Sequence, residues 1–332
     1  MLNEHKIAVV GGGSWATALA KLLLTNAPRI GWYMRRREAI EEFRRTGHNP
    51  LYLTDARFET ERIDFSADIN EVCAAADVIV VAVPSPFFKS EAQKIRVPLA
   101  GKKIVSAVKG IVPDDNIIVT DYFTERFGCS PGDMLVIGGP CHAEEVALER
   151  MSYLTVGCHD YECARSVAAL LAGPKMKTIC SHDVAGIEYA AVLKNVYAIA
   201  AGICSGMKTG DNFMAMLVSN AVREMRRFVD ALDPMPSRDI CDSAYLGDLL
   251  VTSYSRFSRN HNFGAMIGKG YSVTAAKMEM QMVAEGYYGT RCIHEICRRR
   301  IISMPILDWV YSILYEGRSP RRVIQRLAEI FS

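Results

Sequence analysis

Short apolar runs alternate with amphipathic helical patterns along the first half of the chain. The runs are rich in β-branched residues and predict strands at 7–10, 30–34, 78–83, 103–106, 135–137, 153–156 and 176–179. Nearly all of them are continuously apolar rather than alternating, so both faces of each strand are expected to be covered by helices. The pattern therefore predicts an α/β fold with a doubly wound, mainly parallel sheet.

The pattern changes after His182. From Ala185 to the end of the chain the apolar spacing is helical throughout, and continuous β-branched runs no longer occur. A chain of 332 residues is long enough for two packed domains. We expect a sheet domain over residues 1–182 and an all-α domain over residues 183–332.

A glycine-rich turn separates the first predicted strand from the first predicted helix. Gly11-x-Gly13-x-x-Ala16 matches G-x-G-x-x-G/A, whose second glycine lets backbone approach a pyrophosphate. The helical pattern that begins at Ser14 would direct its amide groups toward that anion. A purely structural turn is the alternative. The context of strand, turn and helix favours a Rossmann-like dinucleotide site.

The second predicted strand ends in three arginines, where an NAD enzyme usually carries an acidic residue for the ribose 2′-hydroxyl. A guanidinium at this place suits the 2′-phosphate of NADP. A solvated basic surface is the alternative. We expect NADP(H) as the preferred cofactor, with Arg35 and Arg36 as its candidate ligands, and NAD(H) as the second cofactor.

Composition narrows the class of protein. The formal net charge is only +2, so the protein has no strong overall positive electrostatic field that would favour binding of nucleic acid. The ten cysteines fall at irregular spacings without a C-x-x-C pair, which indicates neither a metal site nor a disulfide framework. No segment resembles a signal peptide, and no run approaches the roughly 20 apolar residues of a membrane span. We expect a cytoplasmic protein without stable membrane insertion.

Five stretches stand out in chain order: "GGGSWATALA" at 11–20, "SAVKG" at 106–110, "VLKNVYAIAAG" at 192–202, "LGDLLVTSYSRFSRNHNFG" at 246–264 and "VAEGYYGT" at 283–290. Together they resemble NAD(P)-dependent glycerol-3-phosphate dehydrogenase of the bacterial, biosynthetic type. G-D-L-x-x-T followed by S-R-N is far more specific than the glycine turn. The resemblance implies reversible reduction of dihydroxyacetone phosphate to sn-glycerol 3-phosphate, the glycerophospholipid backbone, by a homodimer. It also implies a dinucleotide-binding domain over residues 1–182 and a helical substrate and catalytic domain over residues 183–332.

Ketone reduction by hydride needs a proton for the developing alkoxide and a cation to stabilise it, and lysine can supply both. The resemblance implies that Lys194 is the catalytic lysine and that Asn195 beside it helps to hold that lysine or the substrate hydroxyl. It also implies that Lys109 is a second catalytic lysine, near substrate and cofactor. Two neighbouring lysines disfavour each other's positive charge, which lowers the pKa of at least one of them. An anionic partner is needed to oppose this effect, and Asp248 is the candidate. From the residues alone, Lys194 could instead snorkel into water and Asp248 could be a helix N-cap.

The remaining candidates follow from the same resemblance and from the glycine turn. Arg259 and Asn260 are expected to hold the substrate phosphate, with a plain surface loop as the alternative. Cys141 stands where the family usually carries a hydroxyl, so its hydrogen bond should be weaker. The predicted substrate ligands are Lys109, Gly139, Cys141, Lys194, Asp248, Thr252, Ser258, Arg259 and Asn260. The predicted cofactor ligands are Gly11, Gly13, Ser14, Trp15, Arg35, Arg36, Lys109, Ala143, Arg259 and Glu285.

Two other functions stay open at this point. A β-hydroxyacid dehydrogenase or ketopantoate reductase would have a similar architecture, but it binds a carboxylate and has no need of S-R-N after G-D-L. A non-enzymatic dinucleotide sensor would leave the two lysines without a catalytic role.

Overall fold

The computed structural model describes residues 6–280 and 282–331. These residues form two compact units. The first comprises the described residues up to Val108 together with Ile117–Val184, and the second comprises Lys109–Asn116 with the described residues from Ala185 onward. The short segment Lys109–Asn116 therefore belongs with the helices, a feature that a single boundary near residue 183 does not include.

The first unit is built on one eight-stranded sheet with the order β3-β2-β1-β4-β5-β6-β7-β8. The strands are β1 (Ile7–Val10), β2 (Ile30–Tyr33), β3 (Ile63–Ser66), β4 (Val78–Val81), β5 (Lys103–Ser106), β6 (Met134–Gly138), β7 (Ser152–Cys158) and β8 (Met176–Ser181). All neighbours pair in parallel except β6 and β7. This arrangement confirms the predicted doubly wound, mainly parallel sheet.

Helices cover the sheet of the first unit. They are α1 (Ser14–Asn26), α2 (Arg37–Thr46), α3 (Ile69–Ala75), α4 (Ser85–Ala92), α5 (Val119–Phe127), α6 (Ala143–Ala147) and α7 (Tyr161–Leu171). The central strands β1 and β4 are buried at every position, as their continuous apolar runs predict. Strand β3 was not predicted, because "IDFS" alternates buried and exposed positions on the edge of the sheet and contains no apolar run.

The second unit is helical, which confirms the predicted all-α half. Its helices are α8 (Val184–Met207), α9 (Asp211–Leu232), α10 (Asp248–Tyr254), α11 (Arg259–Gly268), α12 (Val273–Glu279), α13 (Glu285–Arg300), α14 (Pro305–Leu314) and α15 (Pro320–Ile330). By length and hydropathy alone, α8 qualifies as a possible membrane span, contrary to the expectation that no run approaches that size. About 83% of its most apolar window is buried, as in the core helix of a folded domain.

Helices α8 and α11 touch backbone to backbone. A Cβ placed on Gly202 would lie 2.0 Å from the carbonyl oxygen of His261, and one on Gly264 would lie 2.2 Å from that of Ile199. Equivalent clashes occur at Gly206 and Gly268. Only glycine is compatible with so close an approach. The four glycines therefore fix the spacing between the helix that carries Lys194 and the helix that begins at Arg259.

Candidate active site

The glycine turn in the first unit has the geometry of a dinucleotide cradle. Gly11 has a φ of +126°, and a Cβ there would lie 2.5 Å from the carbonyl oxygen of Ala82, so this position requires glycine. Gly13 precedes α1, and no atom lies within 4 Å of the place its Cβ would take. That open space at a helix N-terminus leaves room for a phosphate to approach the backbone.

Side chains around the turn hold its shape. The indole nitrogen of Trp32 donates to the carbonyl oxygen of Gly11 at 2.7 Å. The fully buried amide of Asn49 donates to the carbonyl oxygen of Gly12 at 3.2 Å and to the hydroxyl of Thr17 at 2.8 Å. Sequence reasoning missed Asn49, because an Asn-Pro pair in a loop reads as an ordinary turn. The turn is thus fixed before any ligand arrives.

The predicted cofactor ligands of the first unit lie close to this turn or beside β2. Ser14 and Trp15 open α1, with Ser14 buried and Trp15 half-buried. Arg35 and Arg36 follow β2 and are exposed, and the guanidinium of Arg35 lies 4.0 Å from the carboxylate of Glu91. Glu91 in turn accepts from the hydroxyl of Tyr33 at 2.6 Å.

Three further predicted ligands follow β6. Gly139 has a φ of +116°, and a Cβ there would lie 2.9 Å from the carbonyl oxygen of Tyr153. Cys141 and Ala143 are buried in the same apolar core as Ala16. Ala143 begins α6, which packs against α1. The structure therefore brings this segment beside the helix that starts at the glycine turn.

The second unit contains a buried ion pair. The ammonium of Lys194 on α8 donates to the carboxylate of Asp248 at the start of α10. Both side chains are at most 5% exposed, so neither charge would persist without the other. Thr252, one turn further along α10, donates its hydroxyl to the carbonyl oxygen of Asp248 at 2.6 Å. Lys194 does not snorkel to solvent, and the carboxylate of Asp248 faces the lysine.

The charge on Lys194 is balanced between three influences. Burial lowers its pKa to about 8, the carboxylate of Asp248 opposes this by stabilising the ammonium, and the nearby cation of Lys109 lowers the pKa further. Lys109 belongs to the segment Lys109–Asn116, whose Asn116 amide donates to Glu295 on α13 at 2.8 Å. A lysine with a pKa near neutrality can act as an acid or a base.

Asn195 links the elements of the site. Its amide nitrogen donates to the carbonyl oxygens of Lys109 at 2.8 Å and Ala191 at 3.1 Å. Its amide oxygen accepts from Asn260 at 2.8 Å, and the amide oxygen of Asn260 accepts from the backbone N–H of Gly286 at 2.9 Å. All the hydrogen-bonding capacity of the Asn195 amide nitrogen is used within the protein. Both N–H groups of Asn195 therefore hold backbone carbonyls, and its amide oxygen is joined to Asn260.

The start of α11 offers a site for an anion. Ser258 caps the helix by accepting from the backbone N–H of His261 at 3.2 Å, which leaves its own O–H free to donate elsewhere. The guanidinium of Arg259 is half-buried and has no ion pair or hydrogen bond with any residue that the structure describes. A free guanidinium beside a helix N-terminus suits a phosphate. Glu285 opens α13, next to the Gly286 that Asn260 holds.

Family models cover both halves of the chain. The model described as the N-terminus of NAD-dependent glycerol-3-phosphate dehydrogenase matches residues 6–164, and the one described as its C-terminus matches residues 183–325.

The chain belongs to the NAD-dependent glycerol-3-phosphate dehydrogenase family.

Individual members of the family agree with this over the full length. The NAD(P)+ glycerol-3-phosphate dehydrogenase 1 of Salinibacter ruber is 34% identical over 97% of this chain and 94% of its own. The Chlorobium limicola enzyme of the same name is 33% identical over 96% of both chains. The crystal structure of glycerol-3-phosphate dehydrogenase from Coxiella burnetii superimposes with a TM-score of 0.90, at 27% identity, over 99% of this chain and 100% of that one.

The alternative function, that of a ketopantoate reductase, has less support from the solved structures. A putative ketopantoate reductase from Ralstonia solanacearum MolK2 has a TM-score of 0.58 at 15% identity, over 93% of this chain and 96% of that one. At that level the two proteins share the fold alone.

Proposed function

We propose that the chain catalyses the reversible reduction of dihydroxyacetone phosphate to sn-glycerol 3-phosphate with NADPH as the preferred reductant. Family membership supports the reaction. The observation that carries the residue assignment is the buried Lys194–Asp248 pair, with Lys109 beside it and Asn195 and Asn260 tying it to α11. This is an acid–base group held next to an anion-binding helix terminus.

The glycine turn fits a dinucleotide, because Gly13 is open on the side that a ligand would approach and Gly11 is locked in the turn. Gly11, Gly13, Ser14 and Trp15 would hold the pyrophosphate part, with Ala143 on the neighbouring helix. Arg35 and Arg36 would receive the 2′-phosphate, and Lys109, Arg259 and Glu285 would complete the set. When bound, the reduced nicotinamide supplies the hydride.

Lys194 supplies the proton in this proposal. With a pKa of about 8 it is mainly protonated at neutral pH, so its ammonium can donate to the oxygen of the developing alkoxide. Asp248 holds the ammonium of Lys194 in place through a hydrogen bond. Its carboxylate also stabilises the protonated form of the lysine and so favours its reprotonation after each proton transfer. Lys109 adds a second positive charge close to the same oxygen.

Arg259 holds the substrate phosphate, together with the first backbone amides of α11, the hydroxyl of Ser258 and the remaining amide hydrogen of Asn260. Thr252 orients Asp248 through its hydrogen bond to the backbone. From the first unit, Gly139 and Cys141 would contact the substrate, and the thiol of Cys141 would do so more weakly than a hydroxyl. We further propose that the enzyme is a cytoplasmic homodimer that does not insert stably into a membrane.

A steady-state assay tests the reaction. We expect turnover of dihydroxyacetone phosphate with NADPH, slower turnover with NADH, and none with 2-keto or β-keto acids. Reaction with the acids alone would refute the proposed substrate. Equal small effects of Arg35→Ala and Arg36→Ala on the binding of both reduced nicotinamides would refute the assignment of the 2′-phosphate site.

A variant separates the enzyme from a dinucleotide sensor. Lys194→Met keeps the side-chain volume but removes the proton donor, so kcat should fall by about a thousandfold or more while NADPH still binds. Lys269→Met, at the C-terminal end of α11 and exposed, is the matched control and should leave kcat unchanged. Equal activity of both variants would reject the role of Lys194.

A further inference from the structure

The C-terminal end of α13 carries an isoleucine in a backbone conformation that disfavours it. Ile301 has φ 57° and ψ 47°, the left-handed region, and its side chain is 93% exposed. For a β-branched residue this conformation is costly, and full exposure gives no packing in return. Residues in such strained conformations cluster at functional sites.

Two other helices that end in this conformation use glycine, whereas α8 is followed by Lys208 at φ 60°. Gly47 after α2 has φ 74°, and Gly128 after α5 has φ 65°. Glycine takes this conformation without strain, and at α8 a polar residue takes it, so a helix end does not by itself select an apolar side chain. The isoleucine at 301 adds an apolar side chain that the helix end itself does not need.

Three arginines directly precede Ile301. Arg298, Arg299 and Arg300 are all exposed, and the Arg299 side chain is 70% exposed with a long contact of 3.9 Å to Glu295. Within the described part of the chain, Arg298 and Arg300 form no ion pair. The carboxylate of Asp308 lies 3.6 Å from the imidazole of His294 and is paired with that residue rather than with an arginine. Cations favour a helix C-terminus in any protein, but that effect does not call for the exposed isoleucine.

We propose that Arg298, Arg299, Arg300 and Ile301, here called the α13 tip, dock the enzyme on an anionic lipid surface. Exposed guanidinium groups, of which those of Arg298 and Arg300 form no ion pair with the described residues, attract acidic headgroups, and an aliphatic side chain beside them enters the interface. The choice of a lipid surface as the occupant rests also on the proposed function, because sn-glycerol 3-phosphate is the backbone on which membrane lipids are built. Docking would release the product where acylation consumes it.

Vesicle sedimentation tests the proposal with the full chain. We expect binding to phosphatidylcholine vesicles that contain about one third phosphatidylglycerol, much weaker binding to phosphatidylcholine alone, and loss of binding as salt is raised from about 0.05 M to about 0.3 M. Arg298/Arg300→Ala should weaken binding about fivefold for each arginine. Arg44/Arg45→Ala, at the C-terminal end of α2, changes the charge equally and should not weaken it.

Ile301→Gly is the decisive variant, because it removes the apolar side chain and also the backbone strain. Its melting temperature should equal or exceed that of the wild type, and its vesicle affinity should be about tenfold lower. The kcat for dihydroxyacetone phosphate in solution should not change, so the result is independent of the proposed reaction. No binding to anionic vesicles, equal binding by Ile301→Gly, or a dimer in solution that Ile301→Gly dissociates would each overturn the proposal.

Discussion

Replacing Asp248 by asparagine should move the pH dependence of the enzyme in a defined direction. The carboxylate raises the pKa of Lys194 against the lowering by burial and by Lys109, and the balance is about 8. An opposite charge within a few ångströms is worth roughly 1–3 pKa units. Without it, the ammonium loses its counter-charge in a site where both side chains are at most 5% exposed. The pKa of Lys194 in Asp248→Asn should therefore fall to roughly 5–7.

The pH profile of kcat/KM for dihydroxyacetone phosphate reads this change directly. Reduction needs protonated Lys194, so the rate falls above its pKa. For a pKa of about 6, roughly 3% of the enzyme is protonated at pH 7.5, against roughly three quarters for the wild type, an activity loss of about 25-fold. Activity should recover as the pH is lowered.

Asp308→Asn is the matched control for this experiment, since Asp308 lies on α14 and faces His294 rather than Lys194. Its profile should match that of the wild type. If the alkaline limb of Asp248→Asn stays in place or moves to higher pH, Asp248 does not hold the proton on Lys194, and the proposed acid is wrong.

Three further predictions follow from single contacts. Lys109→Met removes the cation that lowers the pKa of Lys194, so the alkaline limb of its kcat/KM profile should move to higher pH; a move to lower pH would contradict the pairing of the two lysines. Gly11→Ala should lower the melting temperature because its Cβ would lie 2.5 Å from a carbonyl oxygen, whereas Gly13→Ala should melt normally and bind NADPH about tenfold more weakly in a titration; equal melting of both would count against this geometry. Burial raises the pKa of Glu224 from 4.5 to about 7, so the folded state binds the proton more tightly than the unfolded state. The resulting contribution to the free energy of unfolding is about 3 kcal/mol; it is complete below pH 4.5 and is lost as the pH rises through 7. Urea unfolding at pH 5 and pH 8 measures this: the wild type should lose that free energy of unfolding between the two pH values, and Glu224→Gln should not. An equal change in both proteins would argue against the assignment.

Much of the fold could be predicted because parallel strands covered on both faces leave a simple signature. The run at 7–10 coincides with β1, in which all four positions are buried, since burial of both faces demands apolar residues at consecutive positions. Edge strands escape that demand. Strand β3, with the exposed Asp64 in its centre, therefore gave no comparable signal.

The candidate site was predictable where a residue type is unusual for its surroundings. Lys194 within an apolar helix and Asp248 beside Leu249 needed a partner, and the structure pairs them. The sequence pattern does not predict which groups a neutral side-chain amide will bond to. The amide of Asn195 makes hydrogen bonds to Lys109, Ala191 and Asn260, partners that no sequence pattern indicates. Such a choice depends on which backbone groups the neighbouring helices present.

The main-chain contact between α8 and α11 limits how this enzyme can change. Because four glycines bring the two main chains together there, the spacing of the backbones that carry Lys194 and Arg259 is set by main-chain contact, and only their side chains remain adjustable. Point mutation can alter which groups a substrate meets at either end, but it has little means of lengthening the distance between them. A longer phosphate ester would therefore have to be accommodated by those side chains or by displacement of a whole helix.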